Sequence, residues 1–446
     1  MESLWRKQTG KIEAGSKGNH IHWDVIVIGA GMAGILTAYY LQEQGKRVLV
    51  LEANEIASGQ TERTTAKITS QHGLKYSRLI RTLGKERARL YAKANEKAID
   101  EYEKLIRKQN IACDFERTSA YLYTTQNERK LKKEEKAASA IGIEMFYVDE
   151  TELPFMVKGA IGFRNQAQFS PLLFIKHICK ELNIKEHEKV IDIIGDQVFT
   201  ENEVFSAEQI VVATHYPFID IPGFYFLRQH QERSYVLALS GCKEIKGMYY
   251  SMDQEGLSVR QAGEYILLGG GSHRTGNLKA GGAYAFLEKA KKDYFPDGKE
   301  VARWSAQDCM PHDGIPFIGR YSMFKSNLYV ATGFQKWGMT SSMIAAMILR
   351  DEICGNKNPY AKLFTPQRFY FRAGIMNFLV DMGVSIKGLF MGWILRKKPK
   401  CPHMGCELKW NPDEKSWDCP CHGSRFEEGG ELLDNPSDVG INVNKI

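Results

Sequence analysis

The chain has 446 residues, 43% of them hydrophobic and 25% charged, which suits a globular protein of two or three domains. Its net charge of +7 comes from Lys and Arg interleaved with acids along the whole chain, a solvated surface that argues against a nucleic-acid partner. The N-terminus has no apolar core or cleavage signature, so no secretory signal is expected, and five isolated cysteines (Cys113, Cys179, Cys242, Cys309, Cys354) suit buried thiols in a reducing cytoplasm.

Residues 1–22 read as a loosely held lead-in. Asp24-Val25-Ile26-Val27-Ile28 is a short β-branched apolar run, as in a buried parallel strand. Gly29-Ala30-Gly31-Met32-Ala33-Gly34 follows, then a helical run to Gln44 and a second strand, Lys46–Leu51, that ends in Glu52. In this GxGxxG pattern the glycines let the backbone approach a pyrophosphate whose charge faces the helix N-terminus. Glu52, eighteen residues after Gly34, can accept from a ribose hydroxyl. A dinucleotide site at the head of the chain favours FAD over NAD.

Ser58–Thr61 and Thr64-Thr65-Ala66-Lys67 form a small, hydroxyl-rich loop able to wrap the pyrophosphate and the flavin edge, or else plain surface. His72 follows where that loop should pass the flavin, as a point of attachment, a pocket group or a structural residue. Lys85–Arg107 has apolar residues at helical spacing and reads as a surface helix. Phe115–Thr125 and Tyr235–Gly271 alternate and read as strands, with Tyr249 and Tyr250 as candidate pocket aromatics. Val190 lies in the strand-like run Glu188–Ile194, and Gln209–Thr214 and Asn327–Thr332 read as buried strands. Gly333 through Thr340 then opens a helix running to about Arg350, whose first N–H groups at Gly338 and Met339 can face the flavin pyrimidine ring.

Over residues 22–355 the chain resembles the glycine oxidase, sarcosine oxidase and D-amino-acid oxidase superfamily of flavoproteins. The pieces that match are GAGMAG, the SGQTERTTAK loop, Val190, QIVVAT, Asp313–Gly319 and GFQKWGMT. The resemblance implies that Gly29, Gly31, Gly34, Glu52, Val190, Gly333, Gly338 and Met339 line FAD, with Thr65 in the wrapping loop. It also implies an α/β fold: a Rossmann-like FAD-binding domain (22–84, 165–220, 306–355) interleaved with a sheet-rich α+β substrate domain (85–164, 221–305) that lies over the flavin. Amino-acid-oxidising relatives hold the substrate carboxylate with an Arg about five residues before Asp-Gly-x-Pro. Here that position is Asp308, which can pair with an amine cation, or can cap a turn or pair with Arg303 or Arg320. The expected catalytic set is therefore His72, Asp308 and Tyr249, acting on a small amine or amino acid.

Residues 365–400 read as a helical linker. Its stretch Gly374–Leu395 is strongly apolar yet contains Asp381 and Lys387, and Arg396-Lys397-Lys398 follows. A helix docked on the flavin domain, an amphipathic helix making peripheral membrane contact through 374–398, and a membrane span are the three readings, the charges weighing against the last. The expected location is the cytoplasm, at the inner face of the membrane under the second reading.

The tail, 401–446, carries Cys401-x-His403 and Cys419-x-x-His422 with fifteen residues between them. Two thiolates and two imidazoles suit a [2Fe–2S] centre in which cysteines hold one iron and histidines the other; structural zinc is the rival. Each half supplies one ligand of each kind, unlike a zinc finger's Cys pair and His pair. The segment resembles the Rieske family. The resemblance implies Cys401, His403, Cys419 and His422 as ligands, a Cys406–Cys421 disulfide clamping their loops, and Ser424 donating to a bridging sulfide. Few residues flank these loops, so the base of a Rieske domain is expected to be truncated and the loops to lean on the flavin domain or a partner.

Together the two resemblances point to bacterial FAD-dependent oxidoreductases with a C-terminal Rieske segment. The expected activity is a dehydrogenase that oxidises a C–N bond and passes electrons singly to the cluster and on to an unidentified one-electron acceptor. A redox or iron sensor, and a flavin oxidase with a non-catalytic cluster, are the alternatives. Phe426 stands where high-potential Rieske proteins place a Tyr that bonds a cysteine sulfur. With that bond missing, a redox titration should put the cluster in the middle or lower part of the Rieske range, not among the highest potentials.

Overall fold

The computed structural model describes residues 1–15, 22–277, 281–394 and 399–443. The apolar run Trp23–Ile28 forms the middle of a sheet, with Val25, Ile26 and Val27 fully buried. Val204–Val212 pairs with it in parallel on one side and Val48–Leu51 on the other. Lys325–Thr332 extends the sheet in parallel beyond Val204–Val212, with Phe317–Ser322 antiparallel at that edge; Asn183–Lys185 closes the other edge. Helices Met32–Gln42 and Gly338–Ile353 pack against each other beside this sheet. They are buried almost all round, which explains why neither shows a clean polar stripe.

A second sheet, nine-stranded among the described residues, is built from segments scattered between 67 and 311. Its long strands Gln229–Ser240, Tyr265–Arg274 and Lys299–Pro311 are antiparallel neighbours. Glu116–Thr124 and Gly159–Gln168 pair at its other half. The mixed α/β architecture with interleaved domains is the one expected. The helix Lys85–Gln109 packs on Gly338–Ile353, where the Tyr102 hydroxyl donates to the Met339 carbonyl at 3.0 Å, and its stripe of Ala94, Ala98 and Tyr102 is buried.

The N-terminus departs from expectation. Leu4–Thr9 is a helix capped by Ser3, and Leu4 and Trp5 are each 3% exposed. Trp5 Nε1 donates to the Thr64 carbonyl at 2.8 Å, and Arg6 pairs with Glu62 at 2.7 Å. One tryptophan in a polar stretch is a weak sequence signal, but its burial fastens this segment to the loop after Glu52.

The helix Phe371–Ile394 leads into a small four-stranded antiparallel sheet: Lys409–Asn411, Ser416–Asp418, Arg425–Glu427 and Leu432–Asp434. Each strand has three residues, too little for a self-sufficient core. Buried Arg425 binds Asp418 (3.0 Å) and Asp434 (2.9 Å) inside it, and the Cys406–Cys421 disulfide is present. The rest of its support comes from the larger body. Asp413 accepts the Gly282 and Ala283 N–H groups at the start of the helix Ala283–Tyr294, at 3.1 and 2.8 Å. Arg274 donates to the Pro420 and Cys421 carbonyls at 3.0 and 2.9 Å. Arg233, wholly buried, forms a two-pronged pair with Glu414, its Nε lying 2.9 Å from Oε2.

Burial opposes ionisation of Glu414, but the Arg233 and Arg425 guanidiniums outweigh it and hold the carboxyl below its ordinary range. Its ionised form therefore stabilises the docked tail at neutral pH, and that contribution is lost as pH falls below about 4.5. Glu414→Gln leaves Arg233 buried without its anion and should cost roughly 3–5 kcal/mol, read as earlier thermal loss of the tail's visible absorbance. The variant should also lose much of the wild-type acid sensitivity.

Candidate functional site

A cavity of about 640 Å³ opens at the C-terminal ends of the parallel strands, within the range of cofactor sites. The turn after Trp23–Ile28 forms its floor. Gly29 has φ +105°, and a Cβ there would lie 2.8 Å from the Ala213 carbonyl oxygen. A Cβ at Gly34 would collide with the Gly29 carbonyl, so this residue lets helix and strand close together. Gly31 faces the cavity with only the Thr61 hydroxyl within 4 Å of a Cβ position, leaving backbone that a phosphate can approach. Glu52 sits in the wall and accepts the Ala30 and Asn54 N–H groups at 2.7 and 2.9 Å. Burial raises its carboxyl above the usual range. Val190, Gly333, Gly338 and Met339 line the opposite parts, and Ser58 to Thr61 fold over the helix start. Glycine turn, helix N-termini and acid together fit FAD.

At one end of the cavity lies a charged group. Asp308 and Lys336 both line it, and Glu232 stands directly across the strand pair from Asp308. Lys336 Nζ is 3.4 Å from Glu232 and 2.7 Å from the Ser272 hydroxyl. Burial pushes Asp308 up to about 6, with Lys336 pulling against it and Glu232 adding to it. Burial works to lower Lys336, but Glu232 overrides it and raises the ammonium above its usual range.

The four tail residues meet beside this cavity. The Cys401 and Cys419 side chains share a hydrogen bond, which lowers Cys401 and raises Cys419, with the Ser424 hydroxyl also favouring the Cys401 thiolate. The His403 and His422 rings stand edge to face, with centroids 5.1 Å apart. Asp220 Oδ2 lies 3.0 Å from His403 Nε2 and fixes that nitrogen's role. His422 Nδ1 is buried without a partner, a nitrogen poised for a metal. The Phe226 ring packs edgewise on both imidazoles at 5.6 Å. Two thiols, two facing imidazoles, one with an unpartnered ring nitrogen, and a hydroxyl beside the sulfur fit a [2Fe–2S] cluster.

One side chain joins the two sites. Gln231 lines the cavity, and its Nε2 donates to the carbonyl of His422 at 3.0 Å and to that of Asn435 at 2.8 Å. Its Oε1 accepts from Gln307 Nε2 at 2.7 Å; Gln307 also reaches the Gly423 carbonyl at 2.8 Å, and its N–H donates to cavity-lining Gln60 at 2.7 Å. Asp434 and Asn435 of the tail themselves form part of the cavity wall.

Of the residues expected at the flavin, Gly29, Gly31, Glu52, Val190, Gly333, Gly338, Met339 and Asp308 line the cavity, and Gly34 lies behind it. Thr65 is outside the lining, and its neighbour Thr64 takes that place. His72 is not in the lining: Tyr91 Oη meets Nδ1 at 2.7 Å, the Thr69 carbonyl meets Nε2 at 2.6 Å, and Trp337 stacks on the ring. With both nitrogens engaged and burial holding the ring neutral, it braces the loop. Tyr249 is likewise a packing residue, stacked on Tyr121 at 4.8 Å and absent from the cavity wall. Asp308 has neither suggested Arg as partner, since Arg303 binds Glu300 and Glu288; its hydrogen bond comes from Ser234 at 3.4 Å. Sequence reasoning missed Gln231, Glu232, Arg233 and Lys336. The available signal was the unbroken polar run Gln229-His230-Gln231-Glu232-Arg233 just ahead of an apolar strand.

The FAD dependent oxidoreductase family matches residues 24–352, and the Rieske [2Fe-2S] domain matches residues 395–444. YhfW of Bacillus subtilis (strain 168), named as a Rieske 2Fe-2S iron-sulfur protein, is 34% identical over 490 residues, covering 98% of this chain and 96% of that protein. The cytochrome b6-f complex iron-sulfur subunit 3 of Nostoc sp. is 37% identical over 43 residues, 10% of this chain and 24% of its own. Among solved structures, glycine oxidase from Geobacillus kaustophilus superposes with a TM-score of 0.66 at 18% identity, covering 78% of this chain and all of that one. L-proline dehydrogenase from P. horikoshii gives 0.65 at 16% identity, covering 78% and 98%. These two share the fold. The chain belongs to the FAD-dependent oxidoreductase family and joins to that enzyme a C-terminal Rieske [2Fe–2S] domain, so FAD and an iron–sulfur cluster are its cofactors.

Proposed function

We propose that the protein is a dehydrogenase that oxidises the C–N bond of an amine and delivers the electrons one at a time to its own Rieske cluster. FAD, when bound, supplies two-electron acceptance from a carbon next to nitrogen, and the cluster supplies one-electron transfer. Overall an amine loses two electrons and two protons to become an imine, and water converts the imine to a carbonyl compound and ammonia or a smaller amine. The electrons leave singly to a one-electron acceptor.

The observation that carries this reading is Gln231, whose side chain lines the flavin cavity and bonds the backbone of a cluster ligand. One side chain spans from the cavity to the cluster loop there. The roles of the surrounding residues follow from charge. Cys401, His403, Cys419 and His422 would hold the cluster, and the Gly29–Gly34 turn and Glu52 would hold FAD. Lys336 is neutralised by Glu232, which leaves Asp308 as an excess anion at that end of the cavity. An ammonium group is the complement of such a site, and a carboxylate is not. The fold's solved neighbours include enzymes named for amino-acid and proline oxidation, which agrees with C–N chemistry.

Anaerobic addition of amines and amino acids to the holoprotein tests the proposal. The active compound should bleach the flavin and then raise the electron paramagnetic resonance signal of a reduced Rieske centre. A bleached flavin beside a cluster that stays oxidised would falsify the electron route. For Asp308, protonation below about pH 6 removes the anion, so kcat/KM for the amine should fall as pH drops through that value. Asp308→Asn should raise KM and flatten that acid limb. If the variant turned over every amine as the wild type does, the assignment of the ammonium to Asp308 would be wrong.

A further inference from the structure

The helix Phe371–Ile394 has two unlike faces. Toward the protein it places Ala373, Asp381, Gly388 and Gly392. Asp381 accepts from His230 at 2.8 Å and His312 at 2.6 Å, and pairs with Arg274. A Cβ at Gly388 would meet the Cys421 sulfur at 2.5 Å, so the helix lies directly on the disulfide that joins the ligand loops. Away from the protein, Met376, Leu379, Ile386, Phe390 and Trp393 are each 54–77% exposed. They recur three or four residues apart, with exposed Gly383 in the one gap, and so form a single stripe. This is an apolar patch of the kind that marks an interaction surface.

Its character selects the partner. The helix is, among the described residues, the one long and apolar enough to cross a membrane, and only 6% of its apolar window is buried. A core helix would be mostly buried, and a signal sequence would stand near the N-terminus; this helix is neither. A span is excluded because one face is committed to Asp381, Gly388 and Gly392 contacts within the protein. The charged residues of the exposed face are Arg372 and Lys387, both cations, and the sequence continues with Arg396, Lys397 and Lys398. A second copy's stripe would bring only further cations and no acid to pair with them. An anionic lipid surface complements them, with Trp393 at the boundary.

We propose that this stripe lies in the plane of an anionic bilayer, buried at the boundary between headgroups and acyl chains. The ligand loops then sit on the opposite side of the same helix, within about one helix diameter, roughly 10 Å, of the lipid. Flotation of the full-length holoprotein with phosphatidylcholine vesicles, with and without phosphatidylglycerol, tests this. The protein should float with the vesicles that contain phosphatidylglycerol and far less with phosphatidylcholine alone. Phe390→Glu and Trp393→Glu should each lower vesicle affinity by at least about tenfold. Both side chains are exposed, so flavin and cluster absorbance should not change. Absence of flotation with phosphatidylglycerol vesicles overturns the proposal, as does flotation that the double variant retains. A dimer that the double variant abolishes, without flotation, assigns the stripe to a second copy and overturns it equally.

Discussion

The structure depends on five consecutive polar side chains in the strand Gln229–Ser240. Gln229 reaches the Thr332 hydroxyl, His230 reaches Asp381, Gln231 reaches the His422 carbonyl, Glu232 reaches Lys336, and Arg233 reaches Glu414. Consecutive residues of a strand point to opposite sides. One strand therefore addresses the tail through Gln231 and Arg233, and the linker helix and the charged end of the cavity through His230 and Glu232. Buried polar groups are costly when unpaired, so each of these contacts specifies the position of the element it meets. The seam between the flavin body and the cluster is fixed by matching donors and acceptors more than by apolar contact.

That seam explains how a tail of 46 residues can hold a redox centre. Its strands are three residues long and its core is little more than four cysteines, Leu408 and Phe426. Small modules of this size need staples. Here they are the Cys406–Cys421 disulfide, the cluster itself, the Arg425 network and the polar seam. The cost of desolvating Arg233 is offset only when Glu414 is present, so the docked arrangement has no near-equivalent neighbour.

What could be read from the sequence divides along the same line. The glycine turn with Glu52, and the Cys-x-His and Cys-x-x-His pairs, were legible because local spacing dictates their chemistry. The Lys85–Gln109 helix and the strands were legible because periodicity reports burial. Gln231, Arg233 and Lys336 were not, since their partners lie as far as 204 positions away and a polar run inside a buried strand imitates a loop. His72 was placed by its position in the loop after the ribose acid and Tyr249 by being aromatic in a strand expected over the flavin, and neither signal tells a packing side chain from one that faces the cavity. Trp5 escaped because one aromatic among polar residues carries no period.

Asp381 links these themes, because it is the charge that made the linker ambiguous. In an apolar helix a lone acid reads either as an obstacle to membrane contact or as an anchor. The structure assigns it to the protein side, where His230, His312 and Arg274 share it and hold its carboxyl well below the usual range. Burial raises the cost of that charge, and three donors more than offset it. Once the acid is consumed on the inner face, no anion remains on the outer one to oppose lipid. A single residue thus both clamps the helix onto the cluster loops and leaves the opposite stripe apolar and cationic.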